Sequence, residues 1–319
     1  MSLSRPSRRQ LLQTGSAALA VLAAPAIVRA QTPKIRIGYW PVAAGLPFFA
    51  AVEKGFFKEA GLDVEPLKFA GAQQVMGSAN GTGSANLAIG EIAQPGLFKI
   101  FCTNPSNAKF VLEEFLVPKD SPIKSVAELK GKKVASGPGI QNVTLAKTML
   151  ERAGAGAINV TELPIGQHVA ALAAGQVDAV YTLEPTGTVG RLNGTTRVLE
   201  AGVVAHYILG DPMAPWHGGA ASLTTEFIKK NPELAKKYIA AYAKGVEFVR
   251  TQPAEARQYM KGYTAIEGAL TNEVPLASYM LFNEFKTSDA AYFQKFYDLF
   301  TEKGIFEKKV TVDGLLYKG

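Results

Sequence analysis

The amino-acid sequence predicts an α/β fold with two doubly wound sheets joined by two hinge crossings. Three observations predict it. Short β-prone runs alternate with helical-period stretches of ten to fifteen residues, the pattern of sheets covered by helices. That alternation occurs twice, before Leu116 and again from Val126, and gives way after Thr224 to consecutive helices. About 289 of the 319 residues follow an N-terminal segment that reads as removable, a length that suits two cores better than one.

The N-terminal segment comes first. Ser7-Arg8-Arg9-Gln10-Leu11-Leu12 is a twin-arginine pair followed by an apolar stretch to Ile27, and Val28-Arg29-Ala30 offers small residues for a signal peptidase. Residues 1–30 are therefore expected to be an export signal of the twin-arginine type, cleaved after Ala30, with periplasmic release. No later run approaches the roughly 20 apolar residues that span a membrane.

The first set of elements begins with a strand at Ile35–Tyr39, a helix over Phe48–Glu59 closed by Gly61, a strand at Leu62–Phe69 and a third at Leu87–Ile89. The second set reads as strand Lys132–Ala135, helix Ile140–Arg152, strand Ile158–Leu163, helix Gln167–Ala174, strand Val177–Tyr181 and strand Arg197–Leu199. Helices are then expected over Pro232–Arg250, Pro253–Gly262, Glu273–Phe285 and Ala290–Lys303. The Pro- and Gly-rich segments Leu116–Pro122 and Tyr207–Ala221 read as crossings. They divide the chain into a discontinuous lobe of residues 31–117 and 220–319, and a second lobe of 118–219.

Charge excludes some partners. The chain carries 34 basic and 27 acidic residues, a net of +7, and residues 1–30 hold four arginines and no acid, which leaves +3. With no Lys/Arg run, neither nucleic acid nor a membrane surface is an expected partner. The single Cys102 has no partner for an intramolecular disulfide and reads as a small core residue. Histidines are not clustered, so neither metal nor cofactor is expected.

The stretch Ile35-Arg36-Ile37-Gly38-Tyr39-Trp40-Pro41, then Gly45-Leu46-Pro47 and Ala51-Val52-Glu53-Lys54-Gly55-Phe56-Phe57-Lys58-Glu59-Ala60-Gly61-Leu62-Asp63-Val64, resembles the opening of periplasmic solute-binding proteins for nitrate, sulfonates, taurine and thiamine-pyrimidine precursors. Further matches follow in order: Gly71-Ala72-Gln73-Gln74, Leu87-Ala88-Ile89-Gly90-Glu91, Ser125–Ala135, and Ala170–Val180 leading to Glu184-Pro185. The resemblance implies the type II periplasmic-binding-protein fold. It also implies a monomer that captures a small molecule between its lobes and delivers it to an ABC permease and its ATPase, without catalysis. Two alternatives stay open: a receptor that presents ligand to a membrane kinase, and an enzyme similar to thiamine-pyrimidine synthases. The enzyme needs a Cys-rich motif that this chain lacks.

In open α/β sheets ligands bind beyond the carboxyl ends of strands, and helix N-termini offer free N–H donors there. Three such places are the Trp40–Gly45 loop, the Gly71–Gln74 helix start with Gln73, and the Gly137–Asn142 helix start. Trp40 is the expected wall, Gln141, Asn142 and Thr144 the expected donors, and Tyr181 and Glu184 follow the Val177–Val180 strand. Glu91 and Gln94 sit beyond Ile89, while Trp216 and His217 either touch ligand or pack the hinge. His168 and His206 read as structural. None of Arg36, Arg152, Arg191, Arg197, Arg250 or Arg257 falls on a cleft loop, and Glu91 and Glu184 favour an amine or a heterocycle with N–H donors, which aromatic walls suit by stacking.

Overall fold

The computed structural model describes residues 34–71 and 79–319; the expected export signal and Gln73 lie outside the described residues. No helix among those residues is long and apolar enough to cross a membrane.

Two sheets organise the chain. The first takes β1 (Lys34–Tyr39), β2 (Asp63–Lys68), β3 (Ala79–Gly83) and β4 (Phe98–Thr103). The second takes β5 (Glu113–Pro118), β6 (Val134–Ser136), β7 (Val160–Glu162), β8 (Ala179–Leu183) and β9 (Thr196–Ala201), after which β10 (Gly219–Thr224) and β11 (Met280–Leu281) return to the first. The spatial orders are β11-β4-β10-β3-β1-β2 and β7-β6-β8-β5-β9. Both halves repeat one plan. Three successive strands lie parallel in the order second, first, third, and the strand delivered by a crossing (β10 in one sheet, β5 in the other) runs antiparallel beside the third. The expected parallel sheets are thus mixed, since a strand that arrives from the other sheet enters from the opposite end.

The crossings run side by side. Ser106 and Trp216 exchange both backbone hydrogen bonds, and Ala108 N–H donates to the Pro212 carbonyl. The first changeover falls between Thr103 and Glu113, upstream of the expected Leu116–Pro122. Glu113 and Glu114 open a buried strand there, and their charge hid it from a reading based on apolar runs. The return lies between Ala201 and Gly219, overlapping the expected segment.

Most helices form where the periodicity places them, including Ile140–Arg152, His168–Ala173, Pro232–Thr251 and Thr287–Glu302. Three expectations fail for physical reasons. The Phe48–Glu59 stretch divides into Leu46–Glu53 and Phe56–Glu59, because Gly55 takes φ 75°, a left-handed turn that ends the first helix. Leu87–Ile89 is not a strand but part of the helix Ser84–Ala93; Ser84 to Ala88 and Gly90 are all buried, and a helix apolar on every side mimics a strand. The expected helix Glu273–Phe285 is replaced by a 3-10 turn at Gly268–Glu273, the short β11 and a second turn at Phe282–Glu284. Pro275 inside it has no N–H to continue a helix.

Packing places the sheets. The helix Pro232–Thr251 lies on Leu46–Glu53 at Gly245, where a Cβ would stand 2.3 Å from the Pro47 carbonyl oxygen. Phe293, Phe296, Tyr297 and Phe300 of Thr287–Glu302 are fully buried and pack in one cluster with Leu145 and Met149 of Ile140–Arg152 and with Trp216. Each buried phenylalanine contributes roughly 1.5–3 kcal/mol. This cluster joins elements of both sheets beneath the crossings.

Candidate functional site

A small cavity of about 20 Å³ lies where the strands of both sheets end. Its walls are Trp40, Val42 and Ala44 from the loop after β1, Asn104 after β4, and Trp216, Gly218 and Gly219 from the return crossing. Leu112 before β5, Leu183 at the end of β8 and Gln141 on the helix Ile140–Arg152 complete the lining. Two backbone approaches make the space: a Cβ on Gly218 would sit 2.0 Å from the Trp216 ring, and one on Gly219 2.3 Å from Asn104 Oδ1. A volume near 20 Å³ holds about one water, so any larger guest requires the walls to part.

The walls are pinned by specific bonds. Trp40 Nε1 donates to the Ala70 carbonyl (3.2 Å), and Ala43 N–H donates to the Glu184 carbonyl across the two halves (2.9 Å). The Tyr279 hydroxyl donates to the Ala43 carbonyl from below (3.1 Å). Gln141, at the start of Ile140–Arg152, accepts from the Ala85 N–H at the start of Ser84–Ala93 (2.9 Å) and donates to the Gly218 carbonyl (2.9 Å). In contrast, Trp216 Nε1 and Asn104 Nδ2 are buried donors with no partner among the described residues. An unpaired buried donor costs on the order of 1–3 kcal/mol, so both atoms are poised for an acceptor.

The structure sorts the expected residues. Trp40, Gln141 and Trp216 line the cavity. Asn142 does not; its Nδ2 donates to the Pro138 carbonyl (3.0 Å), back onto the turn that precedes its own helix. Thr144 faces away, onto an outer groove of about 770 Å³ between Ile140–Arg152 and the Lys303–Ile305 turn. Tyr181 is in the interior of the second sheet, its ring against Phe115. Glu184 is buried and its carboxylate accepts from the Thr188 N–H (3.1 Å). Glu91 lies in the helix Ser84–Ala93 and accepts from Gly96 and Leu97 N–H, closing the turn that follows. Gln94 continues the last turn through its backbone bond to Gly90, also outside the cavity lining. His217 turns from the cavity into a sandwich between Phe285 and Phe293, with Nδ1 2.9 Å from the Thr103 hydroxyl. Burial pushes its ring down to about 3, so it is neutral. His168 bonds Thr182 and the Leu163 carbonyl, and the exposed His206 pairs with Glu200.

Asn104 and the two glycines were not anticipated. Asn104-Pro105 follows β4, a strand that is not among the expected elements.

A second polar cluster lies behind the cavity. Glu114 and Glu184 are buried side by side, close enough to share a proton; burial and each other's presence hold the Glu114 carboxyl well above the usual range. A Cβ on Gly187 would meet Glu114 Oε1 at 1.4 Å, so the glycine is the seat of that carboxyl. Glu113, on the opposite face of β5, accepts from the Ser106 hydroxyl (2.8 Å) and the Val204 N–H (3.4 Å), one from each crossing. Burial pushes its carboxyl up to about 7.

Residues 108–256 match the family model described as NMT1/THI5 like, which bears out the family resemblance over that stretch. No curated protein matches the sequence. Among solved structures, the fold is similar to the alkanesulfonate-binding protein SsuA from Xanthomonas axonopodis pv. citri bound to MOPS (20% identity, 91% of this chain and 100% of that one, TM-score 0.71). It is also similar to the periplasmic aliphatic sulphonate binding protein SsuA from Escherichia coli (23% identity, 90% and 93%, TM-score 0.69). The desulfurization enzyme DSZB shares the fold as well (15% identity, 88% and 96%, TM-score 0.63). The two-lobed binding-protein fold expected from the sequence is therefore present.

Proposed function

We propose that this chain is the exported solute-binding component of an ABC-type importer. It holds a small molecule between one half (residues 34–103 and 219–319) and another (113–201), and hands it to a permease. The observation that carries this reading is the pair of orphaned donors, Trp216 Nε1 and Asn104 Nδ2, buried at the carboxyl ends of strands where the two sheets meet.

Those donors also revise the ligand. Glu91 and Glu184 would have favoured an amine, yet both carboxylates are spent on backbone N–H groups away from the cavity. Neutral donors call instead for an acceptor, such as a sulfonate, nitrate or carboxylate oxygen. Capture would follow from parting of the halves and reclosure around the guest, driven by contacts made only in the closed state.

A catalytic role, which the likeness to DSZB raises, finds no support in the one cysteine. Cys102 is buried, its Sγ directed to the Thr103 carbonyl, and burial pushes the thiol up to about 12, far from a thiolate nucleophile.

The test is a thermal-shift panel on protein freed of carried-over ligand by unfolding and refolding. It compares alkanesulfonates, taurine, nitrate and aromatic acids with aminopyrimidines and polyamines. A compound at 100 times its dissociation constant adds about 2.7 kcal/mol of stability. The expected result is stabilisation by acceptor-bearing compounds recovered unchanged, with Trp216→Phe weakening the effect about tenfold. Stabilisation by amines alone, or consumption of the compound, overturns the reading.

A further inference from the structure

We infer that the Gln141 side chain is an internal stand-in for the ligand, a latch that holds the two halves closed and must be displaced for capture. The inference rests on the binding reading above for what displaces it, but its geometry stands alone.

Gln141 is buried, 5% exposed, and belongs to the second half, yet both of its hydrogen bonds reach groups outside that half. Its Oε1 accepts from the N–H of Ala85, in the first turn of a ten-residue helix whose own N-terminus provides no earlier carbonyl for that donor. Its Nε2 donates to the carbonyl of Gly218, one residue beyond the crossing's His217. A carboxamide therefore does here what a bound molecule does in a cleft: it presents an acceptor to a helix start on one side and satisfies a carbonyl on the other. The remaining donors of the same cavity, Trp216 Nε1 and Asn104 Nδ2, are left without partners. An acceptor group with two or three oxygens has acceptor sites enough for all three donors, whereas the single Gln141 oxygen takes one. Three bonds to the guest then replace the two that Gln141 makes, a net gain of one, and Gln141 is released.

The backbone bond from Ala43 N–H to the Glu184 carbonyl and the exposed Lys303–Glu151 ion pair (2.8 Å) also join the halves. Among the described residues Gln141 is a buried side chain whose hydrogen bonds leave the second half, whereas the exposed Lys303–Glu151 pair is screened by solvent and contributes little. Because the competent state for entry is open, the apparent affinity is the intrinsic affinity multiplied by the fraction of molecules that the latch leaves open.

The experiment reads the closed population without any ligand. Spin labels are placed at Lys58→Cys in the first half and Lys130→Cys in the second, both exposed, while the buried Cys102 escapes labelling. Distances are measured by pulsed electron resonance on unfolded-and-refolded protein. The parent should give one dominant short distance. Gln141→Ala should raise the longer-distance fraction on the order of tenfold, as expected for losing two buried hydrogen bonds. Gln141→Glu keeps the acceptor for Ala85 but sets oxygen against the Gly218 carbonyl, and should open the protein as well; it serves if the alanine variant melts early. Unchanged distributions in a folded variant overturn the latch. The compound panel is independent: a latch without any stabilising compound sinks the binding reading, and a stabilising compound without distance change sinks the latch.

Discussion

The two halves share one strand plan and differ in what their crossing strands carry. In the first sheet, β10 enters as Gly-Ala-Ala-Ser-Leu-Thr, and its small residues leave room for Trp216 and Asn104 beside the cavity. In the second, β5 enters as Glu-Glu-Phe-Leu-Val-Pro and takes two carboxyls into the interior. One side leaves donors without partners at the cavity; the other keeps its acids buried, Glu113 on the Ser106 hydroxyl and Val204 N–H of the crossings and Glu114 against Glu184. The same topology thus separates the cavity from the buried acids beside the crossings, and the substitutions that break each side should differ in kind.

The largest effect is expected on the acid side. Gly187→Ala places a Cβ 1.4 Å from Glu114 Oε1, so the carboxyl has to leave a buried seat. The loss should be roughly 3 kcal/mol or more in urea unfolding. Combining it with Glu114→Ala should recover most of that loss, because the two share one space. A double variant no better than the single one would show that the glycine serves the backbone and not the carboxyl.

Next comes the pH response of the hinge. Burial raises Glu113 from its ordinary 4.5 to about 7, so the folded state holds a proton that the unfolded chain has already released. Its contribution is greatest below pH 4.5 and is lost as pH rises to about 7, on the order of 3 kcal/mol in all. Glu113→Gln removes that slope. Its stability relative to the parent should therefore improve steadily between pH 4 and pH 8, measured by denaturant midpoints; parallel curves would mean that Glu113 stays ionised inside.

These acids also explain how far the sequence could be read. Short β-prone runs located β1 and β2, and helical periodicity located the Ile140–Arg152 helix and the long Pro232–Thr251 helix, each with one buried and one exposed face. It missed β5 because buried carboxyls look like surface, and β10 because Gly, Ala and Ser carry little β signal. The same blind spot governed the site. Trp40, Gln141 and Trp216 were visible as polar or aromatic residues at element ends. That Glu184 and Asn142 turn back onto their own backbone is decided by side-chain rotation, which spacing does not encode.

On the recognition side, Gly218→Ala drives a Cβ to 2.0 Å from the Trp216 ring. The indole must shift out of its packing on Phe296, costing about 1–3 kcal/mol and altering tryptophan emission. Emission identical to the parent would mean that the backbone moves instead and that the cavity wall is softer than its packing implies.

The smallest effect sharpens the contrast to neighbouring residues. Trp216 and His217 are adjacent, but one lines the cavity and the other stacks between Phe285 and Phe293. His217→Phe keeps the aromatic stack, gives up the bond to the Thr103 hydroxyl and removes the unpaired Nε2. Because burial already holds the ring neutral, the exchange at pH 7 trades one hydrogen bond against one orphan and should change stability by about 1 kcal/mol or less. The compound that stabilises the parent should stabilise this variant equally, whereas Trp216→Phe should blunt the response. If the two variants behave the other way round, the donor that reads the ligand is the imidazole, and the indole is only its wall.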